Sequence, residues 1–335
     1  MKNSIFAGAG LLCSLAVSNH QASAVVLEQK WQKGETLAYD TNLSGNVNFQ
    51  IPANVPFFLA GVPLDIEIQG QGKTLLETLN VDEAGIGTVL VKVPNFTVDA
   101  KDQTFGVPAK MTLRDNKSSV TIAGKPQQWG KEWGERAVPT TAIKIGKNGK
   151  IKGFEPLAAQ APANNADNID QNAMIASVIM QALPALLPDN NVEKGDQWHS
   201  EVKFPLIAKT DEKTGKVQPL GKFDMTLKGQ ETIGKKNLWR IGVKGQIEVD
   251  ATKVNALRKN APAQAGNMLT MQLENASQSV EGDIWFDAEG GQINKADLIL
   301  GSTASTITPG NDGKKGTPSW LDFTGTLLLK LADKA

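Results

Sequence analysis

Short stretches in which apolar and polar residues alternate recur along most of the chain. Leu64, Ile66 and Ile68 alternate with Asp65, Glu67 and Gln69. Phe223, Met225 and Leu227 alternate with Asp224, Thr226 and Lys228. A period of two puts each set on its own face of an extended segment, so both stretches predict half-buried β-strands. The same pattern predicts strands across 31–50, 75–79, 111–113, 120–122 and 239–249, and a last strand from Trp320 or Leu321 to Leu331. Thr88–Val93 reads as a strand stopped by Pro94, 251–267 as a loop, 268–273 as a strand, and 301–319 as a Gly-Thr-Ser-Pro-Asn loop.

Turn residues punctuate these segments. Thr141–Ile145 and Lys150–Lys152 flank Gly146-Lys147-Asn148-Gly149. Asn-Gly tolerates the positive φ angles of a tight turn, which predicts a hairpin. Val280–Phe286 is expected to pair with Ile293–Leu300 through Asp287–Gly291. A loose repetition runs underneath. Lys33-Gly34-Glu35 and Lys194-Gly195-Asp196 each lead into a strand, and Gly149-Lys150-Ile151 is echoed by Gly291-Gln292-Ile293. Two similar units account for it, and so do the ordinary turns of any antiparallel protein.

The period changes once. Residues 155–168 are rich in Ala, Pro, Asn and Gln and read as a linker. Over 169–187, Ile169, Met174, Ile175, Val178, Ile179, Ala182, Leu183, Leu186 and Leu187 form a broad stripe, mostly at spacings of three and four. That predicts an amphipathic helix ended by Pro184 or Pro188. The expected organisation is a segment 1–24, an N-terminal β unit 25–154, the linker 155–168, the helix 169–187 and a C-terminal β unit 188–335. The fold class is mainly β and antiparallel: two curved-sheet units, half-barrel or sandwich-like, with one central amphipathic helix.

The first residues set the compartment. Met1-Lys2-Asn3 is a short positive start, Ser4–Val17 is uncharged and mostly apolar, and Ala22-Ser23-Ala24 has the small side chains a signal peptidase accepts. The expectation is a signal peptide cleaved near Ala24-Val25, and an extracytoplasmic protein, periplasmic or secreted. The single cysteine, Cys13, lies inside that segment, so the mature chain holds neither disulfide nor thiolate. Lys plus Arg and Asp plus Glu balance at 35 each, which removes any electrostatic reason to expect nucleic acid as a partner. No stretch of the mature chain reaches the roughly 18 apolar residues of a spanning helix.

Candidate chemistry is sparse. His199 is the only histidine after cleavage. Strand alternation puts it beside Gln197 and Glu201 on the solvent side, with Ser200 on the opposite face, which leaves no Ser-His pair for hydrolysis. Asp65/Glu67 and Asp283/Asp287 share strand faces. A glycosidase needs two such acids in a cleft, whereas the solvent face of an amphipathic strand needs nothing more. Asp167, Asn168 and Asp170 lack the order of a calcium loop and fit a helix cap. No catalytic, cofactor or metal residues emerge. Trp129, Trp133, Phe57 and Phe58 are aromatic pairs in Gly- or Pro-rich sequence, and stand as possible contact residues.

Leu187-Pro188 through Gly195-Asp196-Gln197-Trp198, with Phe286-Asp287 and Gly290-Gly291-Gln292-Ile293, resembles uncharacterised bacterial exported β-rich proteins built like the half-barrels of periplasmic lipoprotein carriers. The resemblance covers mainly 187–300. It implies a curved sheet able to hold an acyl chain, without catalytic residues. The expected function is a non-enzymatic exported protein whose partner is a lipid, another apolar ligand or an envelope protein. The alternatives are a structural or adhesive β module with a filled core, and a histidine-independent carbohydrate-active enzyme.

Overall fold

The computed structural model describes residues 24–50, 61–114, 117–127, 141–156, 187–202, 218–219, 221–259, 272–308 and 317–332. Among them the protein is mainly β and antiparallel. In chain order the strands are β1 (Thr36–Gln50), β2 (Pro63–Val81), β3 (Gly87–Asp102), β4 (Pro108–Arg114), β5 (Lys117–Ile122), β6 (Lys125–Gln127), β7 (Thr141–Ile145), β8 (Ile151–Pro156), β9 (Gln197–Val202), β10 (Gly221–Ile233) and β11 (Lys236–Glu248). A helix, α1 (Ala251–Lys259), precedes β12 (Gln272–Asp287), β13 (Gln292–Thr308) and β14 (Thr317–Leu331). No helix among the described residues is long and apolar enough to cross a membrane.

All fourteen strands belong to one sheet, ordered β6-β5-β4-β3-β2-β1-β14-β13-β12-β11-β10-β9, with the β7–β8 hairpin joined to β3. Strands from before the expected linker and strands from after it therefore meet edge to edge. Their junction is the long β1–β14 ladder, from Tyr39↔Leu331 to Phe49↔Leu321.

This sheet is rolled. Nine strand spacings separate β7 from β9, and at about 4.8 Å each a flat sheet would place them roughly 40 Å apart. Yet the β7–β8 turn touches the segment that leads into β9. Leu187 N donates to Asn148 O at 3.3 Å, and Asn148 Nδ2 to Asp189 Oδ1 at 2.6 Å. Among the described residues no ladder joins β9 to β6 or β8, so the roll is drawn together by these contacts and left unzipped.

Residues 25–31 cross this same end of the roll. Val25 bridges to Val192, Gln29 N donates to Lys147 O at 2.6 Å, and Lys30 N donates to Gly291 O at 2.9 Å. Leu27 is 1% exposed and joins the core, so the segment is a plug across the strand ends. Inward positions alternate as the pattern predicts: Leu37 and Tyr39 on β1; Phe223, Met225 and Leu227 on β10; Ile241 and Val243 on β11; Ala296, Leu298 and Leu300 on β13. All lie in one apolar cluster.

The paired turns repeat bond for bond. Gly34 N donates to Thr78 O and Thr78 N to Glu35 O. Gly195 N donates to Leu227 O and Leu227 N to Asp196 O. Glu35 N and Asp196 N each bond three residues back, to Gln32 O and Glu193 O. The β7–β8 hairpin forms at Asn148-Gly149, with Gly149 at φ 78°. β12 pairs with β13 through Asp287–Gly291 as expected.

Several sequence expectations are corrected. β3 runs on through Pro94, because the β2–β3 register shifts between Lys73↔Asn95 and Leu75↔Lys92 and so spares proline a ladder donor. The stretches expected as separate strands at 64–68 and 75–79 are one continuous β2. Residues 301–308 and 317–319 are strand rather than loop, because their hydroxyls pair across the sheet: Ser277 with Thr303 at 2.9 Å and Thr306 with Ser319 at 2.5 Å. The expected loop 251–267 begins as α1. Asp250 Oδ1 caps it by accepting from Thr252 N at 2.9 Å, and Asn255 exchanges two 2.8 Å bonds with the Leu273 backbone. Residues 169–186 of the expected helix, and 157–168 of the linker, lie outside the described residues.

Candidate functional site

A cavity of about 330 Å³ lies inside the roll, above the plug. β1 supplies Leu37, Tyr39, Thr41 and Leu43; β2 supplies Thr74 and Leu76; β3 supplies Val93 and Phe96. β13 and β14 complete the wall with Ile293, Leu300, Leu327 and Leu329. Gln29, Lys30 and Trp31 of the plug, with Gly291 and Gln292 of the β12–β13 turn, close the end. Strand alternation brings these residues together. Thr41 is aligned with Gly72 and Leu329, and Leu43 with Gly70 and Leu327, so their side chains share the inner face.

The polar groups in this wall are mostly engaged. Tyr39 OH donates to Ile293 O at 3.0 Å, and burial, with the Glu35 charge adding to it, pushes the phenol far above its ordinary range. Thr41 and Thr74 hydroxyls lie 3.0 Å apart, and Thr41 also reaches Tyr39 O at 3.5 Å. Lys30 Nζ donates to Glu289 O at 2.9 Å. The Trp31 indole N–H is cut off from solvent and has no partner among the described residues. Among the described residues no carboxylate lines the cavity.

The outer face carries the charges. Asp283 accepts from Arg240 Nη2 and from Lys228 Nζ, each at 2.6 Å, and Arg240 Nη1 reaches Glu231 at 2.7 Å. Glu231 also accepts from Trp285 Nε1 at 2.7 Å. Lys295 lies 4.4 Å and Arg240 5.4 Å from the centre of the Trp285 ring. Burial alone would raise the Asp283 carboxyl, but bonds from Arg240 and then Lys228 outweigh it and hold it below the usual range. Trp285 and then Arg240 lower Glu231, and Asp283 and Glu231 in turn hold Arg240 protonated.

Of the acids weighed for glycoside chemistry none lines the cavity: Glu67 is exposed, Asp287 is buried at the β12–β13 turn, and Asp65 Oδ1 is buried with no partner among the described residues. Glu67 bonds Gln69 and Gln103. Asp287 accepts from Gly290 N and from Lys236, shaping the β12–β13 turn. His199 is exposed and lies 2.5 Å from Asp224, while Ser200 is buried on the opposite face, as alternation required. Among the described residues, no group of three His, Cys, Asp or Glu side chains is arranged to hold a metal. Trp129, Trp133, Phe57 and Phe58, and the Asp167–Asp170 cluster, lie outside the described residues.

Sequence reading placed Leu43 and Tyr39 in a strand but did not single out Trp31, Thr41, Thr74 or Phe96. The available signal was Thr41, a polar residue on the otherwise apolar alternation of Leu37, Tyr39 and Leu43.

No protein-family model and no curated protein matches the chain. Among solved structures, a crystal structure of Pseudomonas aeruginosa OccK7 (OpdD) aligns at 8% identity and a TM-score of 0.20, over 89% of this chain and 99% of that one.

Proposed function

We propose that this is an exported, non-enzymatic binding protein that takes an apolar ligand into the cavity between the rolled sheet and its plug. The observation that carries the reading is the cavity wall. Leu37, Leu43, Leu76, Val93, Phe96, Ile293, Leu300, Leu327 and Leu329 present apolar surface around about 330 Å³. That size falls in the roughly 300–1,000 Å³ range of small-molecule sites, which are mostly apolar with a few placed polar groups. Export rests on the charged start, the apolar run and Ala22-Ser23-Ala24. Val25, the residue after the expected cleavage point, bridges to Val192.

Titration of the full chain with diphenylhexatriene, an apolar fluorophore, tests the binding reading. The expected result is saturable binding at one site, abolished by Leu327→Trp, which fills the cavity from β14, while the circular-dichroism melt stays cooperative. Absence of saturable binding, or binding indifferent to Leu327→Trp, overturns it and favours a structural module.

A further inference from the structure

We infer that the ligand is an amphiphile that enters the cavity tail first at the end of the roll opposite the plug, and that Gly70 keeps this way open by letting Phe96 lie flat on β2. This rests on the cavity-binding reading above and adds the direction of entry and the side chains that set it.

The two ends of the cavity differ. At the plug the packing is tight. Lys30 N donates to Gly291 O at 2.9 Å, and the Trp31 ring lies on the backbone of Gly87, where a Cβ would come within 2.8 Å of its Cδ1. From there exposure rises along β1 and β14. Leu37, Tyr39 and Leu329 are buried, and Leu43 and Leu327 are half-buried. The same two strands carry the inner face past the cavity, through Gly45↔Gly325 and Val47↔Phe323 to Phe49↔Leu321. Leu321 shares the parity of Leu327 and Leu329, which line the cavity, so it lies on the inner face, yet it is 40% exposed. An inward leucine in contact with water marks an open end.

Glycines shape this mouth. A Cβ on Gly45 or Gly325 would meet the Phe323 ring at 2.8 and 2.6 Å. A Cβ on Gly70, which is aligned with Leu43, would meet Phe96 Cζ at 3.0 Å, Phe96 Cε1 at 3.1 Å and Leu43 Cβ at 3.4 Å. Both rings therefore rest on bare backbone instead of standing into the roll. At Gly70 the atoms a methyl group would press on all belong to side chains, and Phe96 and Leu43 both line the cavity. Gly70 is thus a positioning residue that acts through Phe96.

The ligand class follows from the open end. The aligned inward row at the mouth is Ile66, Val47, Phe323 and Ser302, with no charge among them. A molecule seated past this row buries its apolar body in the cavity and meets water at its outer end. A polar head there stays hydrated and leaves no buried polar group unpaired. No charged side chain in the row selects the head, so acid, alcohol and amine heads on one tail are equivalent.

The experiment is displacement of diphenylhexatriene from the full chain by dodecanoate, dodecan-1-ol and dodecylamine, with Gly70→Ala and the double variant Gly70→Ala/Phe96→Leu beside the parent. The three competitors should agree within about threefold. Gly70→Ala should weaken all of them by about fourfold or more, the equivalent of one buried methylene, and Phe96→Leu in that background should restore them. A purely structural loss at Gly70 would not be rescued by a second change at Phe96. In the parent protein, a dodecyl chain with a nitroxide on its head should broaden the methyl resonances of Leu321 and Val47 most and those of Leu27 and Leu37 least, a readout that needs no variant to fold. Strongest broadening at Leu27 and Leu37, no gradient between the two groups, a preference of more than about tenfold for one head, or a Gly70→Ala effect that is absent or not rescued overturns the inference and leaves the cavity reading standing. No saturable probe binding overturns the cavity reading itself.

Discussion

Asn148 Nδ2 donates to Asp189 Oδ1 at 2.6 Å, and this bond ties the β7–β8 turn to the segment that leads into β9, the opposite end of the strand order. Lys150 Nζ reaches the other oxygen of Asp189 at 2.8 Å. The closure is mostly exposed, with 64% of the Asp189 side chain accessible, so solvent screens it. Asp189→Ala should therefore cost no more than about 1 kcal/mol at pH 7. Bonds from Lys150 and then Asn148 lower the Asp189 carboxyl. A depressed carboxylate stabilises the fold above its unfolded value, about 3.9, and loses that contribution as pH falls through the lower folded value. Urea melts of parent and variant should differ at pH 7 and converge as pH falls through the folded value of Asp189.

The plug should matter much more than the closure. Leu27 is 1% exposed inside the core cluster and is held there by backbone bonds at Val25, Gln29 and Lys30. Leu27→Ala should destabilise by about 2–5 kcal/mol, the range for emptying a buried leucine site. Equilibrium unfolding measures it, and a loss under about 1 kcal/mol would show that residues 25–31 do not seal the roll.

On the outer face, Asp283 pairs with both Arg240 and Lys228, and Glu231 supplies the second negative charge beside Arg240. Asp283→Asn keeps the shape and removes the charge, leaving Lys228 against a neutral amide and Arg240 with Glu231 as its remaining carboxylate. The expected cost at pH 7 is about 1–3 kcal/mol. The carboxyl is held below its ordinary range, so its contribution is complete above about pH 4 and disappears as pH falls through the folded value. The gap between parent and variant should narrow as the solution is acidified, and a gap independent of pH would assign the effect to packing instead of charge.

The strands and their inward residues were legible in sequence because burial on one face writes itself as alternation. Phe223, Met225 and Leu227 show it cleanly, and all three are buried. The turn pairs at Gly34 and Gly195 were legible too, and their bonding repeats residue for residue. What alternation does not encode is which strand lies beside which. The β1–β14 junction and the contact of Asn148 with Asp189 are pairings between distant parts of the chain, with no local signature. Nor does alternation flag a strand such as 301–308, whose serines and threonines pair hydroxyl to hydroxyl and look like a loop by composition. The cavity was invisible for the same reason. Leu43, Phe96 and Leu327 come from three separate strands, and only the roll makes them neighbours.

The hydroxyls of Thr41 and Thr74 are a polar spot in an apolar wall, and removing them one at a time should have unequal effects. Thr41 is buried and holds both Thr74 and the Tyr39 carbonyl within reach, at 3.0 and 3.5 Å. Thr41→Val strands the Thr74 hydroxyl, and should cost about 1–2 kcal/mol. Thr74→Val leaves Thr41 its bond to Tyr39 O, and should cost less. Replacing both removes the need for either bond while keeping the shape, so the double variant should be closer to the parent than Thr41→Val alone. The two changes would then fail to add, which a double-mutant cycle detects as a coupling of about 0.5–2 kcal/mol. The same double variant should bind diphenylhexatriene more tightly than the parent, because the wall it meets is wholly aliphatic at that point. Strict additivity with unchanged probe affinity would show that the hydroxyl pair does not face the cavity.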